Sequence, residues 1–198
     1  MNDLLLRRRI AVINNTSSLP YDSKVEYLAS DGNAYINTGI TVKQGAVKFL
    51  IDMNIPSNSL SGNQVVHGMG TTAPNWFGQA NGKYGAGGTA NSSIDIGQRV
   101  LVLLDYSDTK LTLTIDGNYI GYRNNTVINN ASYKLFKNGN YTVPSILYSF
   151  KALDNNDNIL MELLPVRKNG EGYLYDEVSG TLFGNNGTSN FTYGNDIT

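Results

Sequence analysis

The chain has no cysteine in 198 residues, which excludes a disulfide framework and any thiolate-based metal or redox centre. Histidine and tryptophan occur once each, as His67 and Trp76. Charge is scarce as well: Asp, Glu, Lys and Arg make up 16% of the residues, against about 25% in ordinary soluble domains. With a net charge of -1, the chain lacks the overall basic field that drives nucleic-acid binding through counterion release. No window approaches the roughly 20 consecutive apolar residues of a transmembrane helix. Helix patterns are few, because Gly and Asn runs interrupt apolar residues at i, i+3, i+4 and i+7. Gly, Asn, Ser, Thr and Tyr fill the space left by charge. That mix favours strands, tight turns and a polar uncharged surface, and so an all-β fold.

Three stretches carry the strand signal. In "AVKFLIDMNI", Val47, Phe49, Ile51 and Met53 alternate with Lys48, Leu50, Asp52 and Asn54, the period of a strand with one face inward. "RVLVLLDY" is a nearly continuous apolar run suited to a central strand. "KLTLTIDGNYIGY" reads as a hairpin, with Asp116 and Gly117 in a two-residue turn that needs positive φ. Pairing Ile115 with Asn118 and Leu113 with Ile120 places Leu111, Leu113, Ile115, Ile120 and Tyr122 on the core face and Thr112, Thr114 and Tyr119 on the wet one. A second hairpin is expected in "SILYSFKALDNNDNILMELLPV" about Asp154 to Asn158. Counted from Asp154 as an ion loop, positions six and twelve are Ile159 and Pro165 rather than Gly and Glu, so the segment reads as a plain turn. A third unit, "GYLYDEVSGTLFGN", is strand, turn, strand about Asp176 to Gly180. Many short strands with regular turns mean a sandwich or barrel.

The first 20 residues break this rhythm. In "MNDLLLRRRI" the arginines follow the leucines, and the apolar stretch is far shorter than the roughly 7–15 residues a signal peptide requires, so the segment is expected to remain in the mature protein. Leu4, Leu5 and Leu6 beside Arg7, Arg8 and Arg9 make a docking arm, the leucines filling an apolar groove and the arginines pairing with carboxylates. Plain disorder of a free terminus is the competing reading. "NNTSSLP" then reads as a linker, giving an arm over residues 1–20 and a single domain over 21–198.

Chemistry-bearing residues are sparse. A Ser-His-Asp triad would have to use His67, yet "VVHGMG" looks like a strand entering a turn. "GAGGTA", Gly85 to Ala90, matches a dinucleotide-binding spacing but lacks the strand before it and the helix after it. "APNWFGQANGKYGAGG" holds the materials of a sugar site: Trp76 and Tyr84 for ring faces, and Asn75, Gln79 and Asn81 for hydroxyls. The competing and preferred reading has Trp76 and Phe77 plugging the core while the glycines make turns. Tyrosine is at home in strands and also at interfaces, which leaves self-association open.

Two stretches carry a resemblance. "LPYDSKVEYLASDGNAYINTGI", Leu19 to Ile40, resembles the opening of the laminin-G-like, concanavalin A-like domains of bacteriophage and prophage structural proteins, including those of crAss-like phages. "MELLPVRKNGEGYLYDEVSGTLFGNNGTSNFTYG" resembles the ending of the same family. This resemblance implies a two-sheet antiparallel jelly-roll sandwich with its termini close together. Function does not follow from that fold and must come from a site. Glucan-cleaving enzymes of the fold carry alternating carboxylates, Glu-x-Asp-x-Glu, that set a retaining pair about 5–5.5 Å apart. Glu26, Glu162, Glu171 and Glu177 lack such partners, and Asp176–Glu177 reads as a pair of solvated turn charges. The expectation is therefore a protein that is not an enzyme and needs no cofactor or metal: a virion structural protein, assembled in the host bacterial cytoplasm, docked on other capsid or tail proteins through Leu4 to Arg9. Binding to host or mucosal glycans is the alternative, with neither nucleic acid nor membrane as partner.

Overall fold

The computed structural model describes residues 19–41, 47–56, 63–68, 76–86, 90–106, 110–124, 132–137 and 143–197. Leu4, Leu5, Leu6, Arg7, Arg8, Arg9 and Asn75 lie outside the described residues. In chain order the strands are β1 (Ser23–Val25), β2 (Leu28–Ser30), β3 (Ile36–Thr41), β4 (Lys48–Asn54), β5 (Asn63–Gly68), β6 (Trp76–Ala80), β7 (Lys83–Ala86), β8 (Ala90–Asp95) and β9 (Arg99–Asp105). They continue with β10 (Lys110–Ile115), β11 (Asn118–Asn124), β12 (Ser132–Leu135), β13 (Ser145–Leu153), β14 (Ile159–Lys168), β15 (Glu171–Asp176), β16 (Leu182–Phe183), β17 (Thr192–Tyr193) and β18 (Asp196–Ile197). The large sheet runs β11-β10-β9-β4-β13-β14-β1-β18, with β2, β15, β16 and β17 paired beside this path; the small sheet runs β3-β12-β5-β6-β7-β8. Every described pairing is antiparallel. The fold is all-β, two antiparallel sheets in a jelly-roll sandwich.

Alternation decides which face is inside. Phe49, Ile51 and Met53 of β4 lie opposite Leu104, Val102 and Val100 of β9, and Ala152 and Phe150 of β13 flank Phe49 and Ile51 from the other side. All eight are buried. The small sheet answers with Phe77, Tyr84, Tyr133 and Leu135, and the ring of Tyr133 comes within 4.2 Å of Phe49, centroid to centroid. The opposite face of the large sheet carries Lys48, Leu50, Asp52, Arg99, Leu101 and Leu103; Leu101 is 43% exposed. β9 is central, as its apolar run predicts, yet half of that run faces water.

Turn chemistry fixes the hairpins. Asp116 (φ 49) and Gly117 (φ 78) both sit in the left-handed region, the requirement of a two-residue turn matched to strand twist. Ile115 pairs with Asn118 as expected, but the register then shifts between Leu113 and Thr114, so Leu113 faces Gly121 rather than Ile120. This bulge corrects the expected inward placement of Tyr122. One extra residue in β11 reverses the phase beyond it, leaving Tyr122 51% exposed and Ile120 only partly buried. In the β13–β14 turn the Asp154 carboxylate accepts from Asn156 N, Asn158 N and Asn158 Nδ2, spending its oxygens on its own loop.

Asp176 requires a second correction. It is 1% exposed and accepts four hydrogen bonds, from Glu162 N, Val178 N, Ser179 N and Ser179 Oγ. Burial pushes its pKa up, but these donors outweigh burial and hold it below the ordinary carboxylate value. It is an internal cap that ties β14 to the β15–β16 turn, while its neighbour Glu177 reaches out to Lys24 at 2.7 Å.

The two stretches that carry the family resemblance pack on each other. β1 lies between β14 and β18, and β2 pairs with β17. Asn185 Oδ1 accepts from Tyr35 N at 3.1 Å, Asn186 N donates to Tyr35 O at 2.8 Å, and Asn186 Oδ1 accepts from Asn37 N at 3.0 Å. A Cβ on Gly187 would lie 1.9 Å from the Asn33 carbonyl oxygen, backbone that cannot step aside.

Gly187→Ala is therefore expected to destabilise the fold by about 3 kcal/mol, in the overpacking range, and Phe49→Ala by about 3–5 kcal/mol through its cavity. Thr112→Ala, on the outer face, should stay within about 0.5 kcal/mol. Urea unfolding monitored by circular dichroism measures all three.

Candidate functional site

The candidate sugar-site residues that the structure describes do not share an open surface. Trp76 is 8% exposed, and Phe77, Gly78, Gln79 and Ala80 are buried with it, because β6 lies inside the small sheet between β5 and β7. Gln79 Oε1 accepts from Gly82 N at 2.9 Å and so closes the Asn81–Gly82 hairpin, where Asn81 sits at φ 51. Tyr84 is a strut: its hydroxyl donates to Gln98 O at 2.6 Å and accepts from Ile55 N at 3.0 Å. Burial pushes its pKa up to about 12. Among the described residues of this set, only Asn81 offers its side chain to solvent.

His67 is equally internal. It lies parallel to Phe77 and against Phe136, and its Nδ1 accepts from Phe136 N at 3.0 Å. That bond steadies Phe136 in the left-handed region at φ 65 and leaves the ring proton on Nε2. Burial pulls the His67 pKa down to about 3. The imidazole is a neutral structural acceptor.

The groove with the materials of a binding site lies on the outer face of the large sheet. It starts from an irregularity in β13. Leu147 pairs with Met53 and Ser149 with Asp52, so Tyr148 is an extra residue against β4. Such a bulge re-aims side chains: Leu147 and Phe150 stay in the core, while Tyr148 and Ser149 both turn outward. Arg99, at the start of β9, lays its guanidinium over the Tyr148 ring with Cζ 3.8 Å from the centroid. Its Nε and Nη2 donate to the two oxygens of Asp52 at 2.8 and 2.6 Å, a planar two-pronged pairing that suits arginine and carboxylate geometry. Asp52 holds the Arg99 pKa above its ordinary value.

The opposite wall comes from the end segments. Tyr27 meets Tyr148 edge-on at 5.8 Å and packs so closely on Gly194 that a Cβ there would lie 2.8 Å from the Tyr27 ring. Glu26 Oε2 accepts from Asn195 N and Nδ2, both at 3.3 Å. Two adjoining hollows of about 280 and 400 Å³ share Glu26, Arg99, Tyr148 and Ile197. Lys24, Asp52, Ser149 and Pro165 line the first, and Tyr27 the second. Aromatic and aliphatic surface beside fixed, planar polar groups is what a saccharide requires: a face for C–H groups and oriented partners for hydroxyls.

No protein-family model matches the sequence, and no curated protein does. Among solved structures, the chain is similar to an alginate lyase of polysaccharide lyase family 7, at 15% identity and a TM-score of 0.43 over 56% of this chain and 60% of that one. The lyase's reaction and substrate belong to that protein. The expectation that the chain is not an enzyme is withdrawn: it rested on a missing hydrolase triplet, which bears on one hydrolytic mechanism only.

The burial of His67 predicts acid sensitivity of a definite sign. Its folded pKa is depressed below the unfolded value near 6.5, so its contribution is fully present above that pH and is lost as the pH falls toward the folded value of about 3. Each pH unit below 6.5 removes about 1.4 kcal/mol. Between pH 7 and pH 5 the chain should lose about 2 kcal/mol of unfolding free energy, and His67→Gln should flatten that slope. Equilibrium urea titrations at the two pH values provide the comparison.

Proposed function

We propose that this chain is a glycan-binding jelly-roll module of a bacteriophage virion protein, holding saccharide on the outer face of its large sheet. One observation carries the binding part of this reading: the β13 bulge turns Tyr148 and Ser149 outward beside the Arg99–Asp52 pair, in a groove that Tyr27 and Glu26 complete. A regular strand would send one of those two side chains into the core and leave a flat sheet face. The virion part rests on the resemblance of Leu19 to Ile40 and of Met161 to Gly194 to phage structural proteins, with Leu4 to Arg9 as the segment that docks on capsid or tail partners.

Support for a saccharide over a peptide comes from the composition of the groove. Its carboxylates and its guanidinium are already held in paired arrangements, and a ring hydroxyl can both donate to such a carboxylate and accept from such a guanidinium. An extended peptide would need unpaired backbone groups along a strand edge. Here the floor is β4, β9 and β13, each paired on both sides within the large sheet.

Tyr148→Ala is expected to abolish retention by polysaccharide in affinity electrophoresis while leaving the melting temperature within a few degrees of the parent. Trp76→Ala should instead lower stability by about 3–5 kcal/mol. Retention that survives Tyr148→Ala would place the saccharide elsewhere. Deletion of residues 1–15 should leave the far-ultraviolet spectrum of the sandwich intact and remove the protein from purified particles. Particles that still incorporate the deleted form would end the docking role of the arm.

A further inference from the structure

We infer that the outer-face groove takes a neutral glycan and rejects acidic ones, a proposal that rests on the glycan-binding reading above. The argument is the charge inventory of the groove. Its two cations are both occupied: Arg99 is held by Asp52 through two hydrogen bonds at 2.8 and 2.6 Å, and Lys24 Nζ lies 2.7 Å from Glu177 Oε1. Glu26 borders both hollows, its Oε2 accepts only neutral amide donors from Asn195, and among the described residues no cation pairs with it. The lining thus holds two carboxylates, Asp52 and Glu26, and two cations, but Arg99 is engaged by Asp52 and Lys24 by Glu177 from beyond the groove, which leaves Glu26 as the unbalanced charge bordering the ligand space.

A uronate or sialate carboxylate entering this groove has two choices. It can displace Asp52 from Arg99, which breaks a two-pronged pair whose guanidinium is also fixed by stacking on Tyr148. Otherwise it must lie beside Asp52 and Glu26 and meet like charge, which partial desolvation in a groove makes more costly than in bulk water. A neutral sugar meets neither penalty. Of the five N–H donors of Arg99, two are spent on Asp52, so the rest remain for hydroxyl oxygens. Each Asp52 oxygen keeps acceptor capacity for a hydroxyl proton. Two adjacent hydroxyls on a pyranose can bridge the pair, one accepting from the guanidinium and one donating to the carboxylate. The pair therefore presents both hydrogen-bonding polarities with almost no net charge, which matches a vicinal diol and mismatches an anion.

Affinity electrophoresis of the 198-residue chain tests this, on gels carrying neutral polysaccharides (glucan, mannan and galactan) and gels carrying polyuronates (alginate and polygalacturonate), at low and high salt. The expected result is retention by at least one neutral polysaccharide, unaffected by salt and lost in Tyr148→Ala, with no retention by polyuronates. Asp52→Asn frees the Arg99 charge and Glu26→Gln removes the unbalanced one. Each should raise polyuronate affinity by about tenfold or more at low salt, the scale of relieving a like-charge contact at a binding surface. With two variants, an unfolded one leaves the other to report. Tighter retention by polyuronates than by neutral gels, lost in Arg99→Ala, would overturn this inference and keep the glycan-binding reading. No retention on any gel by a folded chain would overturn both.

Discussion

At Gly187 the chain passes so close to the Asn33–Ala34 backbone that even a methyl group has no room. This contact lets Asn185 and Asn186 reach the backbone of Tyr35 and Asn37, and with those bonds the two end segments of the sandwich close on one another. The rest of the closure follows strand by strand, β2 onto β17 and β1 between β14 and β18. Joining segments about 150 residues apart carries a loop-closure cost that grows only slowly with length. A modest number of backbone hydrogen bonds in a tight, side-chain-free crossing is enough to offset it. The groove depends on this closure directly, since Glu26, Tyr27 and Ile197 all belong to the end segments while Asp52, Arg99 and Tyr148 belong to the sheet they close against.

A second constraint is the buried carboxylate of Asp176. An ionised group in the interior is tolerated only when its oxygens are fully engaged, and here the donors come from both β14 and the turn that follows β15. The phrase "YLYDEVSG" thus encodes a cap rather than a site. That clarifies what the family-like wording at the two ends records: Asn185, Gly187, Asp176 and Gly194 shape the crossing and the turns, and none of them is a free functional group. Resemblance in such residues carries fold, whereas Asp52, Arg99, Tyr148 and Ser149, which form the groove floor, lie between the resembling stretches.

The sheet core was legible wherever alternation is local. Phe49, Ile51 and Met53 fall inside because the pleat has period two, and Asp116–Gly117 forms its turn because positive φ is affordable there. What stayed hidden depends on register. The bulge between Leu113 and Thr114 turned Tyr122 outward against the simple count, and no residue in "KLTLTIDGNYIGY" announces it. The Asn81–Gly82 turn carries a strong hairpin signal, and of the two readings of its stretch, sugar platform or core with turn-making glycines, the pairing that sends Gln79 and Tyr84 inward agrees with the second. The groove itself joins positions 26, 27, 52, 99 and 148, which only cross-strand pairing brings together. One clue was present in "SILYSF": the adjacent pair Tyr148–Ser149 interrupts an otherwise alternating strand, so that Leu147 and Phe150 can both be apolar and inward only if a residue is looped out between them.

That looped-out residue gives the groove an unusual genetic footing. Removing Tyr148 alone would set Leu147, Ser149 and Phe150 in strict alternation opposite Met53, Asp52 and Ile51, with the core phase on both sides unchanged. A single in-frame codon therefore separates a sandwich with a tyrosine-walled groove from one with a flat outer sheet, and neither state asks the hydrophobic core to repack. Loss and regain of the groove is accordingly a one-step event that leaves the interior phase as it was.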